Sequence, residues 1–213
     1  MVIILLAVAI ATQGNRADST QKPTDDPQVN TNAGSAAIKA GDAASAVEKL
    51  QLAVQAAPND SAAYFLLGNA YIQQGELDKA AQAYQRVLEL SPDDMDAHTN
   101  LGVVYYQMER LPDAIAQFQA ALSKKPDDAA LHYLLGAAQL QQGNLTSARQ
   151  SMEEAKKLNP NLPEVYYGLG MLDKLEGKLD AAIANFEHFL EIGPGQDPRA
   201  KTEAEKQLSE LKK

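Results

Sequence analysis

The residues best suited to chemistry in this 213-residue chain are three histidines and two short acidic runs. His98, His132 and His188 could ligate a metal or carry protons near neutral pH. Asp93-Asp94-Met95-Asp96 and Asp127-Asp128 have the outline of a calcium loop. Spacing speaks against both readings. The acidic runs lack the glycine and the closing glutamate that such a loop needs, and Asp94 and Asp128 stand directly before apolar periodic stretches, where a carboxylate caps a helix. His98 and His132 fall 34 residues apart, at places where neighbouring segments carry Tyr64 and Tyr166, so they read as aromatic substitutes within packing. Packed helices about 8–10 Å apart would not bring them together around one ion. No metal site is expected.

Other chemistry is missing by type. The chain has no cysteine, which excludes disulfides, thiolate metal sites, a cysteine nucleophile and a lipidated cysteine. There is no phosphate-binding glycine loop, zinc-protease helix or nucleophile elbow. Asn144-Leu145-Thr146 meets the glycosylation rule but lies in a tight interhelical turn, where a chance match is the better reading. A net charge of −9 leaves no basic face for phosphates, so nucleic acid is not an expected partner. The chain reads as a non-enzyme with no cofactor.

The elements that would position any site are set by a repeat. Pro58, Pro92, Pro126, Pro160 and Pro194 are spaced by 34 residues, as are the pairs Leu67-Gly68, Leu101-Gly102, Leu135-Gly136 and Leu169-Gly170. One period over most of a chain means stacked two-helix units, none able to bury its apolar face alone. Gly75, Gly143 and Gly177 mark the mid-unit turn, and Glu109 takes that place in the third unit. Asp60, Asp94 and Asp128 precede first helices, with Asn161 and Pro163 doing that job in the last unit. Over residues 30–195 the pattern resembles the tetratricopeptide repeat (TPR). The resemblance implies an all-α fold, an α-α superhelix or solenoid of antiparallel helix pairs. Five units follow: a degenerate one over 29–60, then 61–94, 95–128, 129–162 and 163–195. Residues 196–213 form a charged C-terminal capping helix with Leu208 and Leu211 on one side.

Each first helix has two apolar sides. Counting from the first residue of a unit, places 4, 7, 8 and 11 share one stripe, which packs on the second helix where Ala80, Ala114, Ala148 and Ala182 allow close approach. In the resembled family, places 2, 5, 9 and 12 line a concave groove that holds a peptide or partner helix. Here they are Ala62, Phe65, Asn69 and Ile72, then Asp96, Thr99, Val103 and Tyr106. The next two units carry Ala130, Tyr133, Ala137 and Leu140, then Glu164, Tyr167, Met171 and Lys174. Large amphipathic side chains there suit a protein or peptide ligand, although the same residues could instead pack neighbouring first helices on each other. Asn69 and Asn100 match asparagine places of the family's carboxylate-gripping subclass, but Phe65, Ala130 and Leu134 stand where that subclass is basic. A carboxylate clamp is therefore disfavoured, and the asparagines read as general backbone-bonding residues.

Met1–Ala11 is an uninterrupted apolar run that as a helix spans about 16 Å, roughly half a bilayer core. It is read as a signal or membrane-anchor remnant, with residues 12–28 as a polar linker; an apolar tail on a cytoplasmic protein is the alternative. The functional expectation is a scaffold or assembly factor at a bacterial-type cell envelope, tethered to the membrane through residues 1–11. Membrane-tethered repeat proteins of cytochrome maturation and outer-membrane assembly have a similar layout. Two alternatives stay open: the recognition part of an enzyme complex whose catalytic portion is elsewhere, and a self-association module.

Overall fold

The computed structural model describes residues 26–193 and 198–212, and among these it is all-α. The helices are α1 (Pro27–Ala40), α2 (Ala43–Ala56), α3 (Ser61–Gln74), α4 (Leu77–Leu90), α5 (Met95–Gln107), α6 (Leu111–Lys124), α7 (Ala129–Gln141), α8 (Leu145–Leu158), α9 (Pro163–Leu175), α10 (Leu179–Ile192) and α11 (Pro198–Leu211). They pack as consecutive antiparallel pairs closed by α11, as the 34-residue period requires. The apolar run at residues 1–11 and the linker up to Asp25 lie outside the described residues. Among the described residues no helix is long and apolar enough to cross a membrane.

Helix starts follow the carboxylates. Asp60, Asp94 and Asp128 accept the backbone N–H of Ala63, Ala97 and Leu131 at 3.1, 2.9 and 3.1 Å, so two of the aspartates in the apparent calcium loops are caps. Asp26 does the same for α1, which begins at Pro27, inside the stretch expected to be linker. The expected role of Asn161 is not realised: the residue before α9 is Leu162, with no side-chain cap, and Pro163 at the first helical position has no N–H to satisfy.

Turns within the pairs depend on one left-handed residue. Gly75, Gly143 and Gly177 have φ of 76°, 86° and 73°, and Glu109 adopts 58°, the one positive φ outside glycine among the described residues. The turn closes in the same way in both versions: Glu76 N–H reaches the Tyr71 carbonyl at 2.9 Å and Arg110 N–H that of Tyr105 at 2.8 Å. A side chain at that conformation costs about 1 kcal/mol. Glu109→Gly should therefore raise the stability by about 1 kcal/mol, read as a higher urea midpoint. An unchanged or lower midpoint would show that Glu109 is held there by contacts worth more than the strain.

Two compact units make up the described chain, residues 26–121 and 122–212, the boundary falling in α6. In both, a glycine of the first helix faces a large side chain sixteen residues on. A Cβ built on Gly68 would lie 2.7 Å from the Tyr84 ring, on Gly102 2.6 Å from Phe118, on Gly136 2.8 Å from Met152, and on Gly170 2.9 Å from Phe186. These glycines let fully buried rings and thioethers fill the crossing. Within 26–121 the core is built on Leu50, Tyr84, Val87, Leu101, Val104 and Phe118. Within 122–212 it is built on Met152, Val165, Leu169, Leu172, Phe186 and Phe189. α11 lies on α10, with Ala200 and Ala204 buried and Leu208 and Leu211 partly so against Tyr166, Tyr167, Phe186 and Phe189.

Candidate partner-binding surface

Place 4 accounts for two of the histidines. His98 Nε2 lies 3.0 Å from the Pro92 carbonyl, His132 Nε2 2.8 Å from that of Pro126, and the Tyr166 hydroxyl donates to that of Pro160 at 2.8 Å. One role, closing the preceding turn onto the helix, is filled by either ring. His98 Nδ1 also lies 2.7 Å from Gln117 Oε1. His188 packs edge-on to Tyr166 with centroids 4.3 Å apart. These imidazoles are packing residues.

In residues 26–121 the first-helix row presents Phe65, Asn69, Ile72, Thr99, Asn100 and Val103 as half-buried side chains. A residue beneath them, Tyr84 of α4, organises three of them. Its hydroxyl, fully buried, donates to Asn69 Oδ1 at 2.6 Å, and Asn100 Nδ2 approaches Asn69 Oδ1 and the Tyr84 hydroxyl at 3.4 and 3.5 Å. Burial pushes the Tyr84 hydroxyl far above the usual phenol value, against the opposing hydrogen bond of Asn100, so it remains a donor. Phe65 rests edge-on against the same ring, centroids 5.6 Å apart at 67°. This arrangement leaves the Nδ2 donors of Asn69 and the Oδ1 acceptor of Asn100 without a protein partner among the described residues. Thr99 turns back on its own helix, its hydroxyl donating to the Met95 carbonyl at 2.8 Å.

Sequence reasoning placed Tyr84 in the repeat frame and missed this role. The signal was there: in the second to fifth units places 9 and 24 read Asn69/Tyr84, Val103/Phe118, Ala137/Met152 and Met171/Phe186, so only one of these units pairs a phenol with a side-chain amide. Tyr106, in contrast, is 7% exposed, and burial alone raises its pKa well above the ordinary value.

In residues 122–212 the same row is used for packing. Tyr133 is 3% exposed, in a cluster with Met152, Val165 and Leu169, and Leu140 packs against that cluster. Tyr167, 7% exposed, is edge-on to Phe186 and Phe189 at 5.6 and 5.5 Å, with Ala200 and Ala204 of α11 in the same cluster and Met171 against it. Burial pushes its hydroxyl up to about 12, with the Glu203 carboxylate adding to the shift. Lys174 is bonded to Gln207 Oε1 and paired with Glu210 at 3.0 Å, both on α11. The terminal helix thus covers the row on α9. Of the expected surface, Tyr106, Tyr133 and Tyr167 are buried, Leu140, Met171 and Lys174 are half-buried against neighbouring clusters or α11, and Phe65, Asn69, Ile72, Thr99, Asn100 and Val103 are half-buried on the row of residues 61–107.

The stripe facing the partner helix holds a charge network that the sequence does not announce. Asp173, 3% exposed, accepts from Arg149 at 2.6 Å and from Asn185 at 2.7 Å, and Arg149 also reaches Glu176 at 3.0 Å. Burial works against the guanidinium's charge, and the bonds it donates to the two carboxylates outweigh it, so its pKa is raised. At the same place the second and third units carry Tyr71 and Tyr105, whose hydroxyls accept from Gln51 at 2.9 Å and Gln85 at 2.7 Å.

Family comparison matches a TPR repeat over residues 68–109 and tetratricopeptide repeats over residues 50–82, 99–163 and 163–195. No curated protein matches the sequence. Among solved structures, MamA (41-end) from Desulfovibrio magneticus RS-1 superposes with a TM-score of 0.75 at 23% identity, covering 83% of this chain and 99% of that one. YrrB, described as a TPR protein with an unusual peptide-binding site, gives 0.70 at 18% identity over 85% of this chain and 93% of that one. A thermophilic TPR protein of Thermus thermophilus gives 0.66 at 22% identity, over 86% and 99%. At these identities the likeness is one of fold.

Proposed function

The chain belongs to the tetratricopeptide repeat family, and on that premise we propose that it is a non-catalytic interaction module in which the first-helix row of residues 61–107 holds a segment of a partner protein. The observation that carries this is the Phe65–Tyr84–Asn69–Asn100 cluster. An aromatic platform stands half open beside one unpaired amide donor and one unpaired amide acceptor, the complement of a backbone carbonyl and N–H. Tyr84 holds both amides in place before anything binds, so the partner does not pay for ordering them. The peptide-binding site named for YrrB, a structure of the same fold, supports the choice of a peptide-like ligand.

A photo-crosslinking residue in place of Ile72 should capture a discrete partner from extracts of the cell that makes the chain, and one in place of the exposed Gln82 on α4 should not. Phe65→Ala with Asn100→Ala should lower that capture at least about tenfold, since central aromatic anchors carry about 2 kcal/mol or more. Circular dichroism should be unchanged, because the Tyr84–Asn69 bond survives in this variant. Equal capture from Ile72 and Gln82, or capture indifferent to the double substitution, would remove the site from this row.

We place the module at a cell envelope, as an assembly factor tethered through residues 1–11. The support is the apolar run Met1–Ala11 in the sequence. The full chain should then sediment with membranes after alkaline extraction, while a chain lacking residues 1–11 is released. Release of both would move the protein off the membrane.

A further inference from the structure

Charge is divided unequally between the two units. Residues 26–121 carry twelve acidic and five basic side chains, a net of −7, whereas residues 122–213 carry fourteen and twelve, a net of −2. The basic residues of 26–121 are largely spent internally: Lys49 pairs with Glu48, Lys79 with Glu76, Arg86 with Glu89 and Arg110 with Asp113. On the row proposed above, the one charged side chain within 61–107 is Asp96. It is exposed, has no ion-pair partner among the described residues, and is not needed as a cap because Asp94 fills that role. Asp96, Thr99, Asn100 and Val103 fall on one face of α5, three or four residues apart. Asp96 therefore stands one turn from the amide of Asn100.

We infer that the segment held by this row is basic as well as apolar, with a lysine or arginine that meets Asp96 while an apolar side chain lies against Phe65. This rests on the proposed row and adds to it the chemistry of the partner. The acidic unit attracts such a segment from a distance, and Asp96 fixes where its cation sits. The selectivity is opposite in sign to that of a carboxylate clamp, consistent with Phe65 standing at a place where a clamp is basic.

The test uses the full chain and labelled peptides in which leucine alternates with lysine, glutamine or glutamate, with fluorescence anisotropy as the readout. The lysine peptide is expected to bind at least about tenfold more tightly than the glutamate peptide at about 0.1 M salt, and the gap should narrow at about 1 M, where the Debye length falls to about 3 Å. Asp96→Asn should weaken the lysine peptide about three- to tenfold and leave the glutamine peptide unchanged. Glu109→Gln, an equal charge change in the α5–α6 turn, should do neither. If all three peptides bind alike and all are lost in Phe65→Ala, the row stands and the charge inference is wrong. Equal losses in Asp96→Asn and Glu109→Gln would overturn the assignment to Asp96. Lysine-peptide binding that ignores Phe65→Ala, or no binding of any peptide, would overturn the row along with the inference. Self-association of the chain that Phe65→Ala abolishes would give the row to a second copy and end the proposal.

Discussion

Tyr133→Ala is expected to lower the stability of the chain by about 3–5 kcal/mol, the range for removing a large buried ring. The ring lies where α7, α8 and α9 meet, against Met152, Val165 and Leu169, and is 3% exposed. Alanine would leave a cavity that Gly168, close beside the ring at 3.8 Å from an ideal Cβ to Cε2, has no side chain to fill. In a chain of this length each kcal/mol moves the melting temperature by about 2–4 °C, so a loss of about 10 °C is the outcome to look for. Tyr133→Phe should recover most of it. A ligand-contacting tyrosine on an open surface would behave otherwise, with alanine changing stability by no more than about 0.5 kcal/mol. An unshifted melt of Tyr133→Ala would thus return this residue to the open surface. Adding Tyr106→Ala should deepen the loss, since that ring too is buried.

Arg149→Ala comes second. Removing the guanidinium leaves the Asp173 carboxylate, with 5% side-chain exposure, held by Asn185 alone. Losing one partner of a buried pair costs about 3–5 kcal/mol, and because Arg149 is itself 26% exposed the expected loss is about 3, the low end. Changing both members, Arg149→Met with Asp173→Leu, should recover much of that loss, because no buried charge is then left unpaired. The pertinent measurement is a double-mutant cycle in urea. Additive losses would mean that the two side chains do not act as a pair.

The row on the first helices shows how far the sequence could be read. Phe65, Tyr106, Tyr133 and Tyr167 occupy the same helical side by periodicity, and nothing in that periodicity separates them. Phe65 is half open, and the three tyrosines are buried. Lys174 looked like a groove cation and is committed to Gln207 and Glu210 of α11. Glu109, by contrast, was legible from its place alone, because the turn requires a left-handed residue whatever the neighbours are.

Spacing along the chain determined the hairpins, their caps, their turns and the glycines that face Leu50, Tyr84, Phe118, Met152 and Phe186, since these are contacts within about 20 residues, governed by helix geometry. Tertiary structure alone decided which sides of the first helices stay open, and that Arg149 would reach Asp173 in the next pair. A helical wheel states which side chains share a side. What comes to rest against that side depends on how the next pair is set upon the last, through many weak contacts that no local motif encodes.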